Sequence, residues 1–438
     1  MKKNSMIKLA LDIGNSKIRF LLGELSENGS KLEVLEYKEI PSRGIKKSII
    51  ENPELLSDTI RDGLMEIRAK TGIDIDRVIL GVGGHSVTSR TEHVEIVFDE
   101  KEISKEDLDG IFSQAERDLV QRGEVVIEKE IYNIRVNNSG IVKNPIGIVG
   151  KELQGDVHFI IMDERDLMGL VEVINRAGLE VEHISLNAVA AAKAVLEQED
   201  KHMGVALIDI GEGCTDIIIF KNDKMIYSKS LPLGGMHYVS DLSYLFQISR
   251  AEAGDILDKI RRKDFTNGYI LVGETKKVTV EDIKNIIDAR TGDLINFISK
   301  TIEDSGFNGY LGKGIIITGG AILMDEIYDK VSKTMGYAVK RVYPVPIKGL
   351  EEVNLGMAVV VGLFLERMEK EYENLKESES SEEELISSEE LTLNEDLVDL
   401  ELEEKEDKKK KKKKEKPKKE KKSNGAIEAI KKWISNFV

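Results

Sequence analysis

The chain has 438 residues, 41% of them hydrophobic, so it can build two to four domains with buried cores. Its 64 lysines and arginines against 80 aspartates and glutamates give a formal net charge of −16, which argues against nucleic-acid binding, since that needs a basic face. Cys214 is the single cysteine, which excludes a disulfide framework within the chain, and the six histidines lack metal-ligand spacing, so we expect a reducing, cytoplasmic setting.

The first 83 residues predict a β-meander followed by a helix and a buried strand. Two apolar strands flank a tight turn, and apolar residues at helical spacing then follow. In chain order the segments are Met6–Gly23, Leu32–Ile40, Pro53–Lys70 and Arg77–Gly83.

The pattern changes at residue 84. His85–Phe98 alternates like an exposed strand, and Ser104–Gln121 opens with Ser104 and Asp107 in a capping arrangement that predicts a helix. Ile127–Ile141 and Leu153–Met162 are typical of strands. We therefore predict a small inserted α+β domain over roughly 84–165.

A second strand–turn–strand unit follows at Gly204–Lys221 and repeats the first. In both units the first strand ends in Asp-Ile-Gly, so that Asp12 matches Asp209 and Gly14 matches Gly211. Such self-similarity predicts an internal duplication. Downstream, Ser240–Lys263, Thr279–Asp304 and Leu355–Lys370 have helical patterns.

The two turns have the composition of a phosphate clamp. Glycine lets the backbone approach an anion, while hydroxyl and ammonium groups add donors, and a carboxylate beside each turn can hold Mg²⁺ through water. Taken alone, each turn is also compatible with an ordinary glycine-containing hairpin. The candidate metal residues are Asp12 and Asp209, and the candidate phosphate residues are Gly14, Asn15, Ser16, Lys17, Gly211, Gly213, Cys214 and Thr215.

A third candidate nucleotide-binding element is the glycine turn that follows an apolar strand ending at Thr318. Its Gly319, Gly320 and Ala321 would let a flat base and a ribose lie against the backbone.

These three elements in this order resemble the actin, sugar-kinase and DnaK-type chaperone superfamily. Within it, the chain is most similar to the FtsA family of bacterial cell-division proteins. The resemblance covers about residues 6–370 and returns at the C-terminus. It is carried by Asp12–Lys17, Pro41–Lys47, Lys143–Gly150, Leu207–Asp216, Leu231–Gly235 and Thr318–Ala321.

The resemblance implies an α/β, actin-like two-domain ATPase fold that binds ATP and Mg²⁺ and is a weak ATPase at most. It adds Gly234 and Gly235 to the cofactor-binding set and provides no catalytic residue. The implied division is domain I at 1–83 and 166–200 with a return helix at 351–370, an inserted domain at 84–165, domain IIA at 201–239 and 305–350, domain IIB at 240–304, a disordered charged linker at 371–424 and an amphipathic helix at 425–438.

The second turn departs from the family pattern Gly-Gly-Gly-Thr-Thr-Asp. Cys214 replaces a hydroxyl with a poorer donor, and Glu212 places a carboxylate beside a triphosphate. That carboxylate should repel phosphate unless it turns away or helps to hold the metal. The stretch 185–188 also lacks the Glu-Pro that family members often carry.

The C-terminal region divides into charge blocks. Residues 377–407 hold fifteen carboxylates and one lysine, and 408–422 hold twelve lysines and two glutamates, so we expect disorder there. The last fourteen residues place Ile427, Ile430, Ile434 and Phe437 on one helical face, flanked by Trp433, with Lys431 and Lys432 on the other side. This pattern predicts a helix that lies on an anionic membrane, the alternative being a helix that docks on the protein's own core. No apolar run approaches the ~20 residues of a spanning helix.

The resemblance further implies the partners. These are the C-terminal peptide of the tubulin-like protein FtsZ, further copies of the chain in a filament, anionic lipids and other division proteins at the 84–165 domain. Lys284 and Arg290 are the candidates to meet the acidic FtsZ peptide, at the cytoplasmic face of the membrane and at the division site. The alternatives are another actin-fold adaptor of the PilM type, or a small-molecule kinase with Asp12, Asp209 or Glu212 as its base.

Overall fold

The computed structural model describes residues 6–26, 31–262, 264, 268–272, 276–321, 326–374 and 376. The chain divides into two units, Met1–Glu366 and Arg367–Val438. The second unit is described only at 367–374 and 376, which are helical. Most of the predicted linker 371–424 and all of the predicted helix 425–438 therefore lie outside the described residues. None of the helices in the described chain is both long and apolar enough to cross a membrane.

The start of the chain forms the meander predicted from sequence, with an additional short hairpin before the first helix. Asn52 caps that helix by accepting from the Leu55 amide, and Gly72 ends it in a left-handed conformation. The elements are β1 (Met6–Ile13), β2 (Lys17–Leu25), β3 (Leu32–Pro41), β4 (Ile45–Lys46), β5 (Ile49–Ile50), α1 (Pro53–Thr71) and β6 (Arg77–Val82).

The predicted insert is a three-stranded antiparallel sheet with one helix packed on it. The capping arrangement is confirmed, since the Ser104 amide donates to Asp107 Oδ2 at 2.9 Å. The strand predicted to reach Ile141 ends at Val136, because Asn137 and Asn138 have φ of 52° and 57° and break the extended backbone. The elements are β7 (Val87–Glu102), α2 (Lys105–Leu119), β8 (Glu124–Val136) and β9 (Val149–Asp163).

After the insert the chain returns to the first sheet and then begins its second half. The returning elements are α3 (Glu164–Arg176), β10 (Glu180–Leu186), α4 (Asn187–Val195) and α5 (Gln198–Met203). The second half consists of β11 (Val205–Ile210), β12 (Thr215–Lys221), β13 (Lys224–Leu231), α6 (Met236–Phe246), α7 (Arg250–Arg261), β14 (Tyr269–Val272), β15 (Lys276–Thr279), α8 (Val280–Asp304), β16 (Ile315–Thr318), α9 (Glu326–Met335) and β17 (Val339–Arg341).

The two halves share one topology, which confirms the predicted duplication. The first sheet has the order β3-β2-β1-β6-β10, and the second has the order β13-β12-β11-β16-β17. In each, two antiparallel pairs are followed by two parallel ones. The middle strands are buried on both faces, since the consecutive residues Ala10 and Leu11 of β1 and Leu207 and Ile208 of β11 are fully buried.

The helical region before β16 differs in one detail from the prediction. The pattern at 240–263 predicts one helix, but Gln247 adopts φ 58° and separates α6 from α7. The helix predicted at Thr279–Asp304 is α8, with Thr279 as its N-cap, and its buried face packs on α6. After a 3-10 turn at Leu355–Met357, residues 358–366 are helical and complete the first unit.

Candidate functional site

The turns after β1 and β11 meet at a cavity of about 900 Å³, which is within the size range of ligand pockets. Both halves of the duplicated fold contribute to its walls. Of the predicted site residues, those that line it are Asp12, Gly14, Asn15, Ser16, Lys17, Asp209, Gly211, Gly213, Cys214, Gly235, Gly319 and Gly320.

The two turns close in the same way, although they are some two hundred residues apart. The Gly14 amide donates to the Lys17 carbonyl at 3.1 Å, and the Gly211 amide donates to the Cys214 carbonyl at 2.9 Å. A Cβ on Gly14 would stand 2.8 Å from that carbonyl oxygen, and on Gly211 3.1 Å. Both glycines therefore keep the turns tight enough to present backbone groups to one ligand.

Asn15 connects the first turn to two other elements. Its Oδ1 accepts from the Ser48 amide at 2.7 Å, and its Nδ2 donates to Ser48 Oγ at 3.2 Å. The same amide group lies against Gly213 of the opposite turn, where a Cβ would be 2.1 Å from Nδ2. Ser48 belongs to the tip of the β4–β5 hairpin, where Lys47 and Ser48 both have positive φ. The hairpin was not predicted, and it positions one wall of the cavity.

Arg19 is a site residue that sequence reasoning missed. In the β1–β2 register it stands opposite Asp12, and its Nη1 is 3.1 Å from Asp12 Oδ2. Its Nε lies 3.5 Å from Glu39 Oε2, and its Nη2 approaches Gly320 and Gly356. Pairing the residues of the predicted hairpin would have found it, because a residue directly opposite Asp12 has to share its surroundings.

Of the acidic residues at the floor of the cavity, Asp12 is buried and Asp209 is half-buried. Desolvation, and then the charges of Asp216 and Asp12, raise the pKa of Asp209 to about 7. Burial also raises the pKa of Asp12, against the opposing effect of the Arg19 guanidinium. In the described part of the chain, no group of three or more acidic, histidine or cysteine side chains forms a metal cluster. A buried and a half-buried carboxylate from opposite halves fit a hydrated Mg²⁺, which keeps most of its own waters and would relieve their desolvation.

Three predicted cofactor residues lie behind the cavity wall. Thr215 Oγ1 donates to the Leu233 carbonyl at 2.8 Å, so the hydroxyl predicted to meet phosphate is used by the backbone. Gly234 packs against the backbone of the second turn, where a Cβ would be 2.3 Å from the Gly211 carbonyl oxygen. The Ala321 amide donates to the Ile210 carbonyl at 3.0 Å. These contacts hold the wall in place.

The remaining candidates line the cavity, but most of their polar groups already have contacts within the protein. Lys17 pairs with Glu39, and the Ser16 carbonyl accepts from the Ser42 amide. Cys214 Sγ is 3.7 Å from Asp216 Oδ2, a weak contact. Gly319 adopts φ 109°, and a Cβ there would be 2.5 Å from Asp209 Oδ1, so glycine is required.

The predicted partner residues lie on α8. Arg290 binds Asp241 of α6 through Nε at 2.6 Å and Nη2 at 2.8 Å, so its guanidinium holds two helices together. Lys284 is half-buried on the same helix. The predicted membrane residues lie outside the described residues; they are Ile427, Ile430, Lys431, Lys432, Trp433, Ile434 and Phe437.

Two family models match the chain. "Cell division protein FtsA" matches residues 206–362, and "SHS2 domain inserted in FTSA" matches residues 84–161. Together they take in more than half of the chain. The second match coincides with the sheet of β7, β8 and β9.

Curated relatives agree with these models. The cell division protein FtsA of Pseudomonas aeruginosa is 27% identical over 385 residues, covering 85% of this chain and 92% of the relative. FtsA of Bacillus subtilis is 26% identical and covers 74% of this chain and 76% of the relative. FtsA of Escherichia coli K12 is 24% identical, and the match covers 78% of this chain and 86% of the relative.

Solved structures share the fold. A PilM–PilN type IV pilus biogenesis complex matches with a TM-score of 0.61 at 17% identity, covering 83% of this chain and 98% of the solved chain. MreB5 of Spiroplasma citri bound to ADP matches with a TM-score of 0.50 at 13% identity, covering 84% of this chain and 98% of the solved chain. The fold and the cleft thus define an actin-like α/β protein with an inserted small domain, as the sequence predicted. The chain belongs to the FtsA family of cell-division proteins.

Proposed function

We propose that the chain binds ATP with Mg²⁺ in the cleft, self-assembles at the cytoplasmic face of the membrane and holds FtsZ there at the division site. The observation that carries the proposal is the meeting of the two equivalent glycine turns at one cavity of about 900 Å³, with Asp12 and Asp209 at its floor. Two such turns supply backbone donors to a polyphosphate from both sides.

The cleft supplies the groups that a nucleotide needs. Bound Mg²⁺ would neutralise phosphate charge, with Asp12 and Asp209 as its holders. Arg19 adds a cation whose Nη2 approaches Gly320, beside the turn proposed for the ribose and base. MreB5 of Spiroplasma citri, which shares the fold, was solved bound to ADP. We expect hydrolysis to be weak at most, as the resemblance to the family implies.

The test of nucleotide binding is titration of ATP into the full chain with and without Mg²⁺. In Gly213→Ala, the new Cβ would fall on the Asn15 amide group, so we expect ATP affinity to fall at least about tenfold. Gly292→Ala on α8 is the matched control, because a Cβ there meets nothing within 4 Å. Equal affinity in all three proteins would contradict the proposed site.

Membrane attachment rests on the sequence of residues 425–438. A single short amphipathic helix binds a bilayer weakly, while several helices on one polymer bind together through effective concentration. We therefore expect ATP to promote assembly and assembly to promote attachment. In co-sedimentation with anionic vesicles, the full chain should pellet, more so with Mg-ATP, and a chain ending at Ser423 should stay in solution. Equal pelleting of both chains would refute the anchor.

FtsZ recruitment is proposed for the region 240–304. It exposes large apolar side chains that a bound peptide could cover. They are Tyr244, Leu245, Tyr269 and Leu271. The inserted domain at 84–165 is proposed to meet other division proteins.

The two cations on α8 are expected to differ. Lys284→Gln should weaken binding of the acidic FtsZ peptide and leave the unfolding midpoint unchanged. Arg290→Gln should lower that midpoint, because it leaves Asp241 without its bidentate partner. Peptide titration and thermal unfolding of both variants separate the roles. A peptide affinity that neither variant lowers would place the FtsZ contact elsewhere.

A further inference from the structure

Glu212 directs its carboxylate towards the start of α6 and the residue that follows the Gly319–Gly320 turn. Its Oε2 lies 2.5 Å from the point where a Cβ on Gly235 would stand, and the Ala321 Cβ lies 2.8 Å from that same point. The carboxylate therefore sits beside Gly235 and Ala321, in the wall that includes the Gly319–Gly320 turn.

The position of Glu212 is fixed by its backbone. The Gly235 amide donates to the Gly211 carbonyl at 3.0 Å, and the Met236 amide donates to the Glu212 carbonyl at 2.9 Å. These bonds tie the second turn to the start of α6. Any side chain at position 235 would collide with the carboxylate, so the bare Gly235 makes the room that Glu212 occupies.

The carboxylate lacks a donor within the described part of the chain. It is half-buried, and burial raises its pKa, with Arg261 of α7 opposing that rise and Asp258 adding to it. A ligand that brings a donor beside this carboxylate would gain a hydrogen bond to a charged group. Glu212 also lines the main cavity, where such a ligand would lie.

In a bound nucleotide, the groups that could donate a hydrogen bond to Glu212 are few. Phosphate oxygens at neutral pH only accept hydrogen bonds. The ribose carries two hydroxyls on adjacent carbons, and the turn at Gly319–Ala321 is the one proposed to receive the sugar and base. We infer that Glu212 accepts hydrogen bonds from the ribose 2′- and 3′-hydroxyls and makes the cleft selective for ribonucleotides. This inference rests on the proposed nucleotide function.

The test compares the affinities of ATP, 2′-deoxy-ATP and 3′-deoxy-ATP for the full chain. Hydrogen bonds to a charged group predict a roughly 10- to 100-fold preference of the wild-type protein for ATP over at least one deoxy analogue. Glu212→Gly, which installs the family residue, should reduce that ratio to below about threefold, and Glu212→Gln should give an intermediate ratio. Cys214→Thr, in the same turn, is the control and should change the affinities for ATP and for the two deoxy analogues by a similar factor.

The outcomes separate the two proposals. A wild-type protein that binds ATP and both deoxy analogues equally well overturns the role of Glu212 and leaves nucleotide binding intact. A preference that survives in Glu212→Gly also overturns it. A wild-type protein that binds none of the three overturns both proposals. If thermal unfolding shows that Glu212→Gly is misfolded, the nearly isosteric Glu212→Gln decides, and an unchanged ratio there counts against the inference.

Discussion

Acidification is expected to loosen the contact between the inserted sheet and β13, because His158 is buried there as a neutral side chain. His158 is 1% exposed on β9. Its Nδ1 lies 2.8 Å from Thr91 Oγ1, and its Nε2 lies 3.1 Å from Ser228 Oγ on β13. Both partners are hydroxyls, which satisfy a neutral ring and offer no charge to an imidazolium. Burial accordingly lowers the pKa of His158 from 6.5 to about 4.

The sign and size of the effect follow from proton linkage. Between pH 6.5 and 4 the unfolded chain binds a proton at His158 and the folded chain does not, so stability falls as the pH falls through this window. A shift from 6.5 to about 4 corresponds to about 3 kcal/mol when both states are fully protonated, at 1.36 kcal/mol per pKa unit. About 2 kcal/mol of that is lost by pH 5.

The assay is urea unfolding at pH 7 and pH 5, followed by circular dichroism. His158→Gln keeps a donor and an acceptor but cannot be protonated in this range, so the wild-type protein should lose about 2 kcal/mol more than the variant on acidification. His85→Gln removes an exposed histidine and should behave like the wild type. The reasoning fails if the wild-type protein and His158→Gln lose the same free energy between the two pH values.

Two further predictions concern packing around the cleft. Arg19→Met should lower the free energy of unfolding by about 3 kcal/mol, because it leaves Asp12 buried without its partner. Adding Asp12→Asn should restore most of this loss. A double variant that is no more stable than Arg19→Met would contradict the pairing. In urea unfolding, Gly362→Ala should lower the free energy of unfolding by about 3 kcal/mol, because a Cβ there would be 1.7 Å from the Ala190 carbonyl oxygen. Gly292→Ala, whose Cβ meets nothing within 4 Å, should raise it by about 0.5–1 kcal/mol. Equal shifts in the two variants would refute this account of helix 358–366.

The fold could be predicted because local signals and long-range organisation agree. The repeated Asp-Ile-Gly turn at Asp12 and Asp209 predicts two equivalent hairpins, and the structure places them at equivalent positions in two sheets of the same order. The inserted domain could be predicted because the pattern of apolar residues changes at residue 84. Ser104 and Asp107 marked its helix because capping is a local interaction that depends on residues three positions apart.

The site could be predicted less completely because its details depend on contacts between distant segments. Thr215 looked like a phosphate donor, but its hydroxyl is used by Leu233, which follows β13. The hairpin tip at Lys47 and Ser48 was missed because two non-glycine residues with positive φ carry no strong sequence signal. Its role is apparent only when Asn15 meets it in three dimensions.

The duplication also shows where the two halves have separate tasks. Arg19 stands opposite Asp12 in the first hairpin, and Asp216 occupies the matching place opposite Asp209 in the second. The first hairpin therefore pairs its carboxylate with a cation, while the second carries two half-buried carboxylates and, among the residues that the structure describes, no cation opposite them. A hydrated cation is stabilised more beside the second hairpin, and an anion more beside the first. This asymmetry would orient a magnesium-bound polyphosphate within a cleft whose backbone is nearly symmetric.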